Sequence, residues 1–126
     1  MTINWLKNSK LTGTATFNKN NIVLNTTFLS KFSKVCNALI GISEDEKSII
    51  VKPLTLDEIE DPKYKDLLIV KVSPFKNFLR IGNSKCVSIL EPVLKIKLAK
   101  EPVKFNTTWN EVEKYLCIDL TQRLDN

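Results

Sequence analysis

The chain predicts a mixed α/β fold, mostly β, in which two similar strand-helix-hairpin units share one core. Three observations carry this prediction. Short apolar stretches alternate with a period of two, clusters of turn-forming residues separate them, and the order of elements in the first half returns in the second. Apolar residues make up 43% and charged residues 26% of 126 positions, with three Gly and five Pro, a globular composition rather than a linker-rich one. A chain of this length buries about two-thirds of its unfolded surface, enough for one core and not two.

The first unit opens with Thr12 to Phe17, where Ala15 and Phe17 alternate with Thr14 and Thr16 as in a half-buried strand. Asn18, Lys19, Asn20 and Asn21 follow as a turn, because Asn tolerates left-handed backbone angles and hydrogen-bonds its own main chain. Ile22 to Leu24 is a second short strand. Asn25, Thr26 or Thr27 then caps a helix to about Val35, whose Phe28, Leu29 and Phe32 fall on one core-facing side. Ala38 to Ile42 and Ser48 to Lys52 form a hairpin over the charged turn of Glu44, Asp45, Glu46 and Lys47, and Pro53 ends it. Thr55 caps a short helix to Glu60, with Asp57 and Glu58 near its positive end, before Asp61 and Pro62 break the chain.

The second half repeats this order. Leu67 to Val72 reads as a strand, Ser73 to Asn77 as a turn and Phe78 to Ile81 as a short strand. Asn83 or Ser84 caps a helix with Cys86, Ile89 and Leu90 inside, and Pro92 stops it. Val93 to Ala99 reads as a further strand, apolar at Leu94, Ile96 and Leu98 and basic at Lys95 and Lys97, with Lys100 just beyond. Val103 to Trp109, a turn at Asn110 to Glu113, and Tyr115 to Leu120 make a closing hairpin. KNNIVLNT from Lys19 stands 57 positions before KNFLRIGN from Lys76, and EKSIIV from Glu46 stands 67 before EKYLCI from Glu113. Residues 12–56 and 67–121 are therefore expected to be two copies of one unit, the second more divergent, inside one compact domain.

The segments FNKNNIVLNTTFLSKF and ALIGISEDEKSIIVKPL resemble the AbrB-like, or swapped-hairpin, DNA-binding domain, most closely in the hairpin. Two such units in one chain of this length resemble the MraZ branch. The resemblance implies a barrel in which each unit completes the other's core. Phe17, Leu24, Phe28, Phe32, Ile40 and Ile50 should then meet residues such as Ile81, Ile89 and Leu116. It also implies DNA contact from the turn at Lys19, Asn20 and Asn21, supported by Lys31, Lys34, Lys76, Arg80 and Lys85. This chain departs from the family where the usual Gly-Arg turn is Asn20 and Asn21 and the usual Pro before the helix is Asn25. The second copy carries Gly82 and Arg80 instead. Arg80 and Arg123 are the only arginines in the sequence, which leaves little capacity for bidentate reading of guanine, whereas lysines can still meet phosphate.

Charge is segregated along the chain: residues 1–43 carry +5, 44–62 carry −5, 63–104 carry +7 and 105–126 carry −2. Such blocks build a positive face toward phosphate or acidic partners, or remain a scatter of solvated lysines. There is no His, so the commonest acid-base residue is missing, and Cys36, Cys86 and Cys117 lack the spacing of a zinc site and read as buried apolar residues. The acidic clusters Glu44, Asp45, Glu46 and Asp57, Glu58, Glu60, Asp61 have no calcium-loop spacing and read as a hairpin tip and a helix start. Trp5, Trp109, Phe75 and Phe78 could stack nucleobases beside basic residues, though core or edge packing is the commoner fate of aromatics. No apolar run reaches the length of a membrane span, and no signal-peptide core opens the chain. The expectation is a cytoplasmic, non-enzymatic protein without cofactor, metal or membrane. It is a homo-oligomer that binds DNA weakly through lysines, or else an assembly module that binds protein.

Overall fold

Alternation of buried and outward side chains runs through most apolar stretches of the chain, and the backbone answers with strands. The computed structural model describes residues 2–3, 12–25, 32, 37–76, 78–95 and 101–124. In order these form β1 (Thr12–Phe17), β2 (Ile22–Asn25), β3 (Asn37–Ile42), β4 (Ser48–Leu54), α1 (Leu56–Ile59) and a 3-10 turn at Pro62–Tyr64. There follow β5 (Ile69–Lys71), β6 (Ser73–Pro74), β7 (Phe78–Ile81), α2 (Ser84–Leu94), β8 (Val103–Asn110) and β9 (Tyr115–Leu124). The fold is mostly β. The nine strands among the described residues pair antiparallel in the order β5-β3-β4-β9-β8-β1-β2-β7-β6. Only Val72 separates β5 from β6, so the two ends of the sheet belong to one bent stretch of chain and the sheet is nearly closed, like a barrel.

Four of the eight pairings join the N-terminal half to the C-terminal half: β1 with β8, β2 with β7, β3 with β5 and β4 with β9. The inward faces of these pairs make the core. Phe17, Ile22, Leu24, Ile49, Leu79, Ile81, Leu116 and Ile118 are fully buried there. Each such side chain contributes roughly 1.5–3 kcal/mol relative to exposure. Ile22 lies opposite Ile81, Leu24 opposite Leu79 and Val51 opposite Leu116, while the Phe17 ring meets Phe105 edge-on at 5.8 Å and 75°.

Several expectations need correction. Pro53 does not end the hairpin strand, because it lies opposite Ala38 beyond the last β4–β9 pair, where a missing N–H is tolerated. Pro62 begins a 3-10 turn whose N-cap, Asp61, accepts from the Lys63 amide. The predicted strand from Leu67 narrows to Ile69–Lys71. Ser73 and Pro74, expected in a turn, are paired with β7.

The largest departure is at α2, which runs through Pro92 to Leu94 rather than yielding a strand at Val93. At 100° per residue, Cys86, Val87, Leu90 and Leu94 share one arc of the helix, and their burial holds the last turn despite the lost backbone bond at Pro92. Ile89 falls outside that arc and is 52% exposed, so it is not a core residue. Lys95 then ends the helix in the left-handed region at φ 59°. Ile50 points outward opposite Cys117, and Cys117 is half-buried rather than buried. Of the expected helix from Asn25 to Val35, only Asn25, which ends β2 opposite Phe78, and Phe32 are among the described residues; Phe28 and Leu29 lie outside them. So do Trp5, Cys36 and the stretch 96–100.

Candidate functional site

Lys19 and Asn20 are exposed at the β1–β2 turn, which closes through the Asn18 amide donating to the Asn21 carbonyl at 2.8 Å. Asn21 is half-buried and its side-chain oxygen accepts from Asn18 Nδ2 at 2.9 Å, so Asn21 is a turn clasp more than a free contact. Lys76 is exposed in the β6–β7 turn, which closes the same way, Phe75 amide to Phe78 carbonyl at 2.8 Å. Arg80 is exposed in the middle of β7, opposite Val23 on one side and Ser73 on the other. Lys85 is exposed in the first turn of α2, where Asn83 caps the helix by accepting from the Cys86 amide at 2.9 Å. Lys31 and Lys34 lie outside the described residues.

Strand register decides which of these come together. Because Ile22 lies opposite Ile81, the Lys19–Asn21 turn and the start of α2 stand at the same end of the β2–β7 ribbon. Lys76 stands at the other end, where Phe78 lies opposite Asn25. Six residue steps separate the two turns, roughly 20 Å at the rise of an antiparallel strand. Arg80 lies between them. The set is thus a row across the outer surface of the sheet rather than one cluster.

Lys104 was not singled out in the sequence. It lies half-buried opposite Thr16, between the inward Val103 and Phe105, and so faces outward at the Lys19 end. Continuing inward and outward alternation along β8, β1, β2, β7 and β6, the outward positions include Lys104, Asn106, Thr14, Thr16, Val23, Arg80 and Ser73, with no carboxylate among them. From Leu67 to Leu90 the sequence holds Lys71, Lys76, Arg80 and Lys85 and no acid at all. Glu101, at the border of this face, is paired with Arg123.

Acidic groups gather elsewhere. The β3–β4 turn exposes Glu44, Asp45 and Glu46. Asp45 accepts from Ser43 Oγ at 2.7 Å and from the Lys47 amide at 2.9 Å, and these bonds hold its carboxyl below the ordinary range. That turn satisfies itself. Burial pushes the Cys86 thiol up to about 11, which leaves it protonated and inert at neutral pH. Trp109 packs edge-on against Phe32 at 6.5 Å and donates to Glu111, a packing role instead of a stacking one. Phe75 and Phe78 lie ring on ring, 4.7 Å apart and 12° from parallel.

The opposite outer face is apolar. Leu39, Gly41 and Ile50 with Leu67, Leu68 and Tyr115 line a groove of about 300 Å³, rimmed by Lys52, whose Nζ donates to the Glu113 carbonyl at 3.1 Å. The sequence held no signal for this groove, because it forms only when β3, β4 and the chain before β5 meet. Among the described residues no group of three or more Cys, Asp or Glu could hold a metal ion, and no helix is long and apolar enough to cross a membrane. The chain matches no protein-family model, no curated protein and no solved structure.

Proposed function

We propose that this protein binds DNA through phosphate contacts, as a regulator of the AbrB and MraZ type with weak sequence preference. The acid-free outer face from β8 to β6 carries the reading. It presents Lys104 and Arg80, with Lys19 and Lys85 at one end and Lys76 at the other. Uniform positive sign over a surface attracts a polyanion without choosing its sequence. On this face Arg80 can pair bidentately with guanine and Asn20 or Asn106 with adenine, each such contact worth ~1–3 kcal/mol, against the ~4–10 kcal/mol that separates specific from nonspecific binding.

Strand registers support the two-unit architecture that accompanies this reading. Thr16 opposite Val23 and Phe17 opposite Ile22 become Ser73 opposite Arg80 and Pro74 opposite Leu79 when shifted by 57, the offset read from the Lys19 and Lys76 segments. Ile42 opposite Ile49 becomes Trp109 opposite Leu116 when shifted by 67, the offset of the two hairpin segments. Two offsets taken from residue matches thus reappear as hydrogen-bond registers. We infer two swapped-hairpin units related by a pseudo-twofold through the Val23–Arg80 and Ile50–Cys117 pairs.

The test is a salt titration of binding to random duplex DNA. Log affinity should fall with log salt at about −0.9 per phosphate engaged, so three to five contacts give a slope of about −3 to −4.5. Replacing Lys19, Arg80 or Lys104 by Ala should each reduce the slope by about 0.9. A slope near zero sinks the reading.

A second reading, a protein-interaction module, rests on the apolar groove. At the offset of 67, Leu39 and Gly41 correspond to Asn106 and Thr108, so the fold accepts polar residues at these positions and does not itself require apolar ones. Self-association of the expected homo-oligomer would run through this face. Leu67→Asp should then turn an oligomer into a monomer in sedimentation velocity while leaving the salt slope untouched.

A further inference from the structure

The two turns at the ends of the β2–β7 ribbon share a closing hydrogen bond and differ in chemistry. Asn18 and Asn21 in the first stand 57 positions before Phe75 and Phe78 in the second, and the same amide-to-carbonyl bond closes both at 2.8 Å. The first turn is clasped by an Asn–Asn hydrogen bond, so the backbone closes well without aromatic rings. The second carries two stacked rings, and Phe75 remains 45% exposed. Exposing that much aromatic surface at a turn costs solvation that an Asn pair avoids.

What surrounds the rings is basic. Phe78 and Arg80 flank the buried Leu79 and so project from the same outer side of β7. Lys76 lies between the two rings in sequence, is exposed, and no acid occurs from Leu67 to Leu90. A parallel ring pair at 4.7 Å is the spacing at which a further flat ring can continue the stack. Every nucleobase offers such a ring, and a base can reach it only when unpaired. We propose that the Phe75–Phe78 stack is a platform for an unpaired nucleobase, with Lys76 and Arg80 taking the flanking phosphates, so that the protein holds single-stranded nucleic acid at this turn.

The inference rests on the phosphate-binding reading and adds the ligand's class. Its test measures anisotropy of a short labelled oligothymidine and of a duplex of equal length with the full chain, alongside thermal melts of each variant. Phe75→Ala and Phe75→Leu should weaken single-strand binding by roughly five- to hundredfold, the range of one lost base stack. Phe75→Tyr should retain it, and duplex binding should stay within about twofold in all three. Phe75→Leu keeps apolar bulk at the turn, so a loss shared by Ala and Leu but not Tyr reports stacking and not folding. Single-strand binding by Phe75→Leu equal to the parent overturns the platform and leaves the phosphate reading standing if the salt slope persists. Absence of binding to either oligonucleotide overturns both, as does binding to phosphatidylserine vesicles alone.

Discussion

Dividing the chain between Asp61 and Pro62 should leave two pieces that do not fold alone. The N-terminal piece would keep β1–β2 and β3–β4 but lose the strands that cover β1, β2, β3 and β4 from the other half. Phe17, Ile22, Leu24, Ile49 and Val51 are all fully buried in the whole chain. At roughly 1.5–3 kcal/mol each, exposing these five removes on the order of 8–15 kcal/mol. A domain has only about 5–15 kcal/mol in total, so even half of that loss removes most of the stability. Residues 1–61 and 62–126, expressed separately, should give unfolded far-UV circular dichroism and regain β signal when mixed. A cooperative melt from residues 1–61 as a monomer in sedimentation equilibrium would refute the reasoning, because the halves would then hold independent cores. Folding only as a dimer agrees with it, since a second copy can supply the missing strands.

Other perturbations act on single groups. Thr107 is 1% exposed and its hydroxyl finds no partner among the described residues, so Thr107→Val should raise stability by about 1 kcal/mol in urea unfolding. Asn83→Ala removes the α2 cap and should cost about 1 kcal/mol by the same measurement. Burial holds the Cys86 thiol at about 11 against an ordinary 9.0, so the unfolded chain loses this proton first as pH rises. Stability is unaffected by this group below about pH 9 and falls between 9 and 11, a decline that Cys86→Ala should lack when urea midpoints are compared. Iodoacetamide at neutral pH should accordingly label half-buried Cys117 well before Cys86.

Local signals in the sequence were enough for part of the local structure. The bounds of β1 and β7 follow from alternation, and the Thr55 capping box with Glu58 places α1. The end of α2 was misread because Pro92 is a strong local breaker, whereas the burial of Leu94 that overrides it is a tertiary effect. The candidate site divides in the same way. Lys19, Lys76, Arg80 and Lys85 were visible as basic residues near turns and a helix start, but their alignment depends on β2 pairing with β7. Lys104 joins the row only because β8 pairs with β1. Ile50 was expected in the core for want of the strand order, which turns it outward into the groove.

Near-closure of the sheet restricts how any partner can approach. Its two terminal strands, β5 and β6, are three and two residues long and adjoin each other across Val72. An extended peptide recruits to a sheet by laying its own backbone along a free rim of amides and carbonyls, and so does the first strand of a growing fibril. Among the described residues these two terminal strands are too short to hold one. That favours recognition by side chains, on the basic surface, in the apolar groove or at the turns, and each of these can be altered by substitution without unpicking the barrel. The same closure should keep concentrated solutions free of fibrils for as long as the barrel stays shut.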